Sequence, residues 1–319
     1  ALIRVSSMAR SRLKKLAMGS GVLAVVGGGA GAAMYRKRLQ ENKAVTATEY
    51  NAAQNKEQLN AALAWVRKAA QHNGAAAAAG PGLELLRYTT CPFCGKAKAF
   101  LDYHGIAHDA VEVDPMLKTQ IAGSSYKKLP QLRFGGKDGV YLVDSELIVN
   151  TLAELVGSGA QLQDPDVQKW RAWASESLVR HVTLNINKTL VGAWRGYSYI
   201  DAFDTIPLVN KLFLKVVGAP VMFMVAKYKT YPTLVKAGEL KDGDDFRAAF
   251  HGQVDQFVKE VKLGDDKPFH GGSKPDLADL DVYGVFQSVR GHEIFDDMLQ
   301  NTAIGPWMMR MDRETGKAE

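Results

Sequence analysis

Cysteine is scarce in this 319-residue chain, which contains only Cys91 and Cys94. Half of a zinc site would need two further ligands, but none of the seven histidines stands at metal-ligand spacing near this pair. A static disulfide also suits so short a loop poorly. Thiol redox chemistry is therefore our first hypothesis, with an inert relic of a redox fold as the alternative.

Acidic residues are nearly absent from the N-terminal end, where Glu41 is the only acid before Glu49. The net charge of +6 is concentrated there and the rest of the chain is close to neutral, so no nucleic-acid partner is predicted. The composition, 46% hydrophobic and 23% charged, is that of a globular protein. Disorder is thereby excluded for most of the chain.

Charge is missing altogether from residues 16–35, a run of 20 residues that follows a basic segment at 1–15. Because an α-helix of that length crosses a hydrocarbon core of about 30 Å, we predict a single-pass transmembrane helix. Six glycines weaken this pattern and leave a cleaved targeting segment or an interfacial stretch as alternatives. Gly27 and Gly31 form a small-xxx-small pair that suits a partner helix in the membrane. The basic segment resembles a mitochondrial presequence, so we expect a mitochondrial membrane, the inner one in our interpretation.

Residues 36–82 are predicted to connect this anchor to the globular part. Thr46 and Glu49 have the spacing of a capping box, and an amphipathic helix is expected from about Thr48 to Gln71. An alanine- and glycine-rich linker follows and ends at Gly82.

The two cysteines lie at a predicted strand-to-helix junction. The strand would cover residues 83–88, and Pro92 suits the first helical position, which puts Cys91 at the N-cap. Backbone N–H groups and the helix dipole, with Lys96 nearby, favour the Cys91 thiolate. Cys94, one turn later and more buried, would resolve a mixed disulfide or simply pack.

The order of elements over residues 83–158 is βαβαββα, which is the α/β thioredoxin-like fold of glutaredoxins. Asp164-Pro165 begins a second domain, 164–310, which is predicted to be all-α, and 311–319 is a polar tail. In the second domain we predict helices at 165–188, 206–228, 243–262, 276–290 and 292–300. The apolar helix at 206–228 is expected to be buried or interfacial rather than membrane-spanning, and to be broken at Gly218-Ala219-Pro220.

A thioredoxin-like half followed by an all-helical half is the plan of glutathione transferases, and residues 271–280 resemble their C-terminal capping motif. More narrowly, residues 83–310 resemble the membrane-associated prostaglandin E synthase type 2 family. The blocks that carry this resemblance are the Cys-Pro-Phe-Cys motif with 99–104, followed by 111–113, 124–130, 278–285, 295–297 and Pro306-Trp307.

The resemblance implies roles for three residues in catalysis. Cys91 would be the reactive thiol, Cys94 its partner, and Tyr88 a hydroxyl that hydrogen-bonds in the site. Tyr88 as an ordinary strand residue is the alternative.

The resemblance also implies glutathione as cofactor. Leu129 would pair through its backbone with the cysteinyl unit, Pro130 would be a cis-proline that shapes the pocket, and Asp144 and Ser145 would hold the γ-glutamyl end. Asp144 and Ser145 could equally be helix caps. The family also holds haem, but residues 226–236 lack the histidine expected there in animal members, which counts against haem.

Two classes of function follow. The first is a membrane-anchored, glutathione-dependent thiol enzyme, either an endoperoxide isomerase or a thiol oxidoreductase. The second is an accessory or scaffold subunit of a mitochondrial inner-membrane respiratory complex with a relic glutathione transferase fold. The membrane and glutathione are predicted partners, and other subunits of such a complex or a homodimer stay open.

Overall fold

The computed structural model describes residues 45–71 and 82–316, together with Ala33 and Gln40. Apart from Ala33, the predicted membrane helix at 16–35 therefore lies outside the described residues, as do its glycine pair and most of the linker. The elements before the sheet are α1 (Ala47–Ala52) and α2 (Lys56–Gln71). The thioredoxin-like part consists of β1 (Leu83–Arg87), α3 (Pro92–Tyr103), β2 (Asp109–Glu112), β3 (Gln131–Phe134), β4 (Val140–Val143) and α4 (Ser145–Leu155).

The sheet has the strand order β2-β1-β3-β4. Strand β1 runs parallel to β2 and antiparallel to β3, and β3 runs antiparallel to β4. This mixed sheet confirms the predicted thioredoxin-like fold. The second helix of the predicted βαβαββα order, between β2 and β3, is reduced to one 3-10 turn, Thr119–Ile121. Lys118, in the left-handed region at φ 54°, precedes that turn, so a longer α-helix cannot form there.

The single amphipathic helix expected from about Thr48 to Gln71 is in fact two helices. The capping box of Thr46 and Glu49 is present and starts α1, but the chain leaves the helix and Asn55 caps α2 by accepting from the Gln58 N–H at 3.1 Å. The break lets α1 dock on the sheet. The Asn51 side chain exchanges hydrogen bonds with the Val143 backbone at 2.9 and 3.0 Å, so α1 covers the edge strand β4.

The second part is helical, as predicted. Its helices are α5 (Pro165–Trp173), α6 (Val179–Asn187), α7 (Leu190–Gly196), α8 (Leu208–Lys236), α9 (Phe246–Val261), α10 (Leu277–Gln287), α11 (Glu293–Asn301) and α12 (Gly305–Glu314). A π-turn, Ala174–Leu178, joins α5 to α6. The sequence did not predict α7 or α12.

Helix α8 differs most from its prediction. It does not break at Pro220, because a π-turn, Leu214–Gly218, lies just before the proline and a second one covers Ala226–Thr230. Proline lacks an N–H and clashes with the carbonyl four residues earlier, and a wider turn at that place relieves both problems. Nor is the helix buried: Leu208 and Val209 are 80% and 75% exposed. Within the described residues, α8 is the one helix long and apolar enough to cross a membrane, judged by length and composition alone.

The two parts share one hydrophobic core. Leu85 and Phe100 of the thioredoxin-like part and Tyr283, Phe286 and Trp307 of the helical part belong to the same buried cluster. Helices α3 and α10 cross so closely that a Cβ on Gly95 would lie 2.0 Å from the carbonyl oxygen of Gly284. The helix that begins at the cysteine motif is thus held directly by the helical part.

Candidate functional site

The register of the strands brings three predicted site segments to the same end of β1, β3 and β4. This row of strand ends is called the sheet edge below. Leu86, near the end of β1, pairs with Gln131 at the start of β3, which in turn pairs with Val143 at the end of β4. The cysteine motif follows β1, Leu129-Pro130 precedes β3, and Asp144-Ser145 follows β4. Neighbouring strands lie about 4.8 Å apart, so these segments extend over roughly 10 Å.

The cysteine motif has the predicted helix-cap geometry. Cys91 is the N-cap of α3 in an extended conformation, and Pro92 is the first helical residue. Cys91 is half-buried and Cys94 is 1% exposed, and both are free thiols. The chain therefore presents one sulfur at the surface and holds the second beneath it.

The environment separates the two thiols. The pKa of Cys91 is lowered, chiefly because the Cys94 side chain donates a hydrogen bond to its sulfur, with further help from the backbone N–H groups of Cys94 and Phe93. The pKa of Cys94 is raised well above its usual value, first by burial and then by its bond to the Cys91 sulfur and by the charge there. Cys91 is thus the thiolate of the pair.

Lys96 does not assist Cys91 as the sequence suggested. Its ammonium group is buried, lies 2.9 Å from the Asp281 carboxylate and donates to Ser175 at 2.6 Å. Arg171 binds the same carboxylate oxygen at 3.0 Å. Lys96 lies where α3 crosses α10, so its positive charge forms an ion pair between the two domains.

Glu112 fixes the turn that leads into the motif. Its carboxylate accepts from the backbone N–H of Thr89 at 2.9 Å and from the Thr89 hydroxyl at 2.8 Å. Burial raises the pKa of Glu112 above its ordinary value despite these bonds. Its negative charge also raises the pKa of both Cys91 and Cys94. Sequence reasoning did not single out Glu112, and its position at the end of β2, beside β1, is the signal that could have identified it.

The Leu129–Pro130 peptide bond is cis, as predicted. Across the edge, the Asp144 N–H donates to the Pro130 carbonyl at 3.4 Å. Pro130 is buried and Leu129 is half-buried.

Asp144 occupies an unusual backbone conformation, with φ 76° and ψ 130°. One of its carboxylate oxygens, Oδ1, accepts from the backbone N–H groups of Glu146 and Leu147 at 3.0 and 3.3 Å, so Asp144 caps α4. Ser145 is buried in the first turn. The capping role considered from the sequence is therefore present for Asp144. A strained N-cap beside the cysteine motif and the cis-proline is the kind of position at which function can hold an unfavourable φ.

A cleft of about 570 Å³ opens between the two domains next to Cys91. Its walls are formed by Tyr88, Thr90, Pro92 and Pro115 on one side and, on the other, by residues of α6, α7 and α8 and of the turn before α11. Tyr197 and Tyr199 add two rings, and burial raises the pKa of Tyr197 to about 12. The cleft is thus largely apolar, with tyrosine rings next to the reactive sulfur.

Arg195 and His292 are among the polar residues that line the far wall of the cleft. The guanidinium of Arg195 pairs with Glu293 at 3.1 Å and is largely exposed. His292 Nδ1 accepts from the Ile294 N–H at 3.3 Å, so Nε2 carries the proton in the neutral ring. That Nε2 is buried and has no hydrogen-bond partner, and burial lowers the pKa of His292. The His292 ring therefore lines the cleft while its Nε2 is enclosed in the protein without a partner.

The residues fit glutathione better than haem. Asp144 supplies a carboxylate and Leu129 a backbone for a peptide, both at the strand ends beside the cysteine motif, although neither residue lines the cleft itself. His292 is the only histidine among the described residues that line the cleft. For its Nε2 to bind iron, the proton would have to move to Nδ1, which could then no longer accept the hydrogen bond that caps α11. In the segment expected to provide a haem ligand, Ala226 and Leu234 pack with Leu184 and Leu240 instead.

The sequence analysis identified the candidate residues at the sheet edge but not those that form the far wall of the cleft. Tyr197, Tyr199, Arg195 and His292 belong to short helices or connecting turns without a recognisable motif. Only the folding of the helical domain against β1 and α3 brings them opposite Cys91.

Comparison with known proteins gives consistent similarities. The family described as glutathione S-transferase, N-terminal domain, matches residues 85–160. Prostaglandin E synthase 2 of Mus musculus is 32% identical over 281 residues, covering 74% of this chain and 71% of the mouse protein. The Danio rerio protein of the same name is 30% identical over 278 residues, covering 73% and 71%. Glutaredoxin 2 of Salmonella typhimurium, solved in complex with glutathione, superposes with a TM-score of 0.47 and 14% identity, over 74% of this chain and 95% of that one.

Proposed function

Since this chain belongs to the prostaglandin E synthase 2 family, we propose that it is a glutathione-dependent thiol enzyme whose reactive group is the Cys91 thiolate. The observation that carries the proposal is the opposite shift of the two thiol pKa values at the mouth of an apolar cleft. A scaffold would not need a stabilised thiolate facing a cleft. Enzymes that use cysteine nucleophiles do need one.

Glutathione would bind along the sheet edge. An extended tripeptide reaches about 10 Å, which matches the roughly 10 Å from the cysteine motif to Asp144 across two strand spacings. The Asp144 carboxylate would accept from the ammonium group of the γ-glutamyl unit, and Ser145 with the first N–H groups of α4 would bind its carboxylate. The backbone of Leu129 would pair with the cysteinyl unit.

In an oxidoreductase reaction, the Cys91 thiolate attacks a disulfide. One S–S bond breaks, one forms to Cys91, and the leaving sulfur departs as a thiolate. Cys94 then loses its proton and attacks Cys91, which releases the second sulfur and leaves a Cys91–Cys94 disulfide. Bonding of Cys91 removes the negative charge that raised the pKa of Cys94, so the second thiol becomes easier to ionise once the first has reacted. Two molecules of glutathione return the pair to dithiol.

In an isomerase reaction, the thiolate of Cys91 or of bound glutathione attacks one oxygen of an endoperoxide. The O–O bond breaks, an S–O bond forms, and the other oxygen leaves as an alkoxide that takes up a proton. Loss of the C–H proton at the carbon bearing the S–O oxygen then forms the ketone and expels the thiolate. No net electrons are consumed.

Calorimetry with glutathione tests the proposal through Asp144→Asn. Asparagine keeps an oxygen that can cap α4 and tolerates the positive φ, but it removes the charge. Loss of a hydrogen bond between charged groups costs about 1.5 to 3 kcal/mol, so we expect roughly 10- to 150-fold weaker binding with an unchanged melting temperature. No detectable binding of glutathione to the wild type at millimolar concentration would contradict the enzyme proposal.

That negative outcome would favour the alternative, a scaffold subunit of a mitochondrial inner-membrane complex. One observation supports it: the Asp144 carboxylate already serves α4 as a cap. Under either function we propose that residues 16–35 hold the chain in the membrane, with Gly27 and Gly31 towards a partner helix. Retention of the full chain after alkaline carbonate extraction would support the anchor, and release would contradict it.

A further inference from the structure

Exposed apolar side chains are concentrated on two neighbouring helices. Of the thirteen large hydrophobic residues that are exposed in the described part of the chain, ten lie on α7 or α8. On α7 they are Leu190, Val191 and Trp194, and on α8 they include Leu212, which is 60% exposed. Such a concentration on one region of a surface marks a place where something other than water is bound.

On α8 the apolar residues form a straight stripe. The exposed residues Leu208, Leu212, Val216, Pro220, Met224 and Tyr228 follow one another at a spacing of four. In a regular α-helix each such step drifts by about 40° around the axis, so the stripe would wind away from its face. The two π-turns each hold an additional residue and turn the helix back. They therefore keep the apolar side chains on one side.

Charge indicates what covers this stripe. Leu208–Lys236 contains five lysines and no acidic residue. Lys215 pairs with the carboxylate of Asp201 and Lys211 donates to the carbonyl of the same residue, which leaves three lysines towards the end of the helix. Lys227 lies 5.5 Å above the Tyr228 ring and 6.0 Å from that of Phe223, so its cation sits beside the apolar face. A helix with an apolar face flanked by lysines is the pattern of segments that lie in the surface of an anionic bilayer.

Two other arrangements fit the same face less well. Spanning the membrane would require α8 to leave the body, where the Asn210 amide donates to Asp114 at 2.7 Å and Leu234 is fully buried. A symmetric pair of copies would place one lysine-rich helix against another, and like charges across such an interface repel.

We propose that α8 rests on the surface of an anionic lipid bilayer, with the stripe from Leu208 to Tyr228 inserted among the headgroups and the exposed Lys227 and Lys229 against lipid phosphates. The cleft next to Cys91 also has α8 in its wall, through Met222. A helix seated in this way would bring the cleft close to the membrane surface.

The test measures local insertion, so that an N-terminal anchor does not obscure the result. The full chain, with Cys91→Ser and Cys94→Ser, receives a single cysteine by Leu212→Cys or Met224→Cys and an environment-sensitive fluorophore. A matched control carries the label through Gln300→Cys, an exposed position on α11. Each protein is mixed with vesicles of phosphatidylcholine, with or without phosphatidylglycerol.

We expect a blue shift at both α8 positions with the anionic vesicles, a smaller one with phosphatidylcholine alone, and none at position 300. Lys227→Glu with Lys229→Glu should remove the preference for anionic lipid. Unshifted emission at 212 and 224 with anionic vesicles would overturn the proposal. A shift that grows with protein concentration in the absence of vesicles would also overturn it and assign the face to a second copy.

Discussion

The hydrogen bond from Cys94 to the Cys91 sulfur offers the most direct test of the site. It is the largest cause of the lowered pKa of Cys91, and Cys94→Ala removes it with little change in volume. Hydrogen bonds to charged groups contribute about 1.5 to 3 kcal/mol, and a thiol is a weak donor, so the lower end applies. At 1.36 kcal/mol per pKa unit, we expect the pKa of Cys91 to rise by about one unit.

The assay is the rate of alkylation of Cys91 against pH, followed by mass spectrometry of the peptide that contains it. Reactivity is lost as pH falls through the pKa of Cys91, so the midpoint of the alanine variant should lie about one unit above that of the wild type. Cys94→Ser is the matched control, because a hydroxyl is also a donor and should keep the midpoint low. Equal midpoints for wild type and alanine variant, or equal shifts for alanine and serine, would refute this account.

Three further changes test other parts of the structure. Gly284→Ala should destabilise the protein by at least 1 to 3 kcal/mol, seen as a lower melting temperature, because its Cβ would lie 2.5 Å from the Lys96 backbone. Burial lowers the pKa of His104 from 6.5 to about 4, so the free energy of unfolding is highest above pH 6.5 and falls as the pH drops towards 4. In His104→Phe this decrease, up to about 3 kcal/mol, should be absent from the free energy of unfolding measured against pH. His292→Asn keeps a cap for α11 but removes the imidazole ring from the cleft wall. It should raise KM for the disulfide or endoperoxide substrate about fivefold, through lost contact area, with kcat and melting temperature nearly unchanged.

Local sequence patterns were enough to predict the geometry of the cysteine motif. Cys91 and Pro92 depend on a few neighbouring residues, because the start of a helix is specified locally. The fold followed for the same reason, because the alternation of short strands and helices is a local signal. The cis bond at Pro130 was expected from the family resemblance alone.

The features that were not predicted correctly depend on contacts between residues that are distant in the sequence. Lys96 was expected beside Cys91 because both are near each other in sequence, yet Asp281, far along the chain, determines where its charge goes. Pro220 was expected to end a helix, and the π-turn that accommodates it cannot be inferred from propensity. The sequence left α8 as either buried or interfacial, and burial proved wrong, because an apolar composition does not say whether the helix packs against protein or against another apolar phase.

The contact between the two domains fixes the position of the far wall of the cleft relative to the Cys91 thiol. Helix α3 carries Cys91 at its start and meets α10 one turn later through Gly95, with backbone against backbone. Beside that contact, Lys96 and Arg171 both bind one oxygen of Asp281, whose other oxygen is buried without a partner. Such a network is costly to rearrange, because breaking either pair would leave a buried charge uncompensated. The sulfur of Cys91 is therefore positioned as much by the helical domain as by its own strand and helix, and changes in α10 should alter its reactivity without touching the motif.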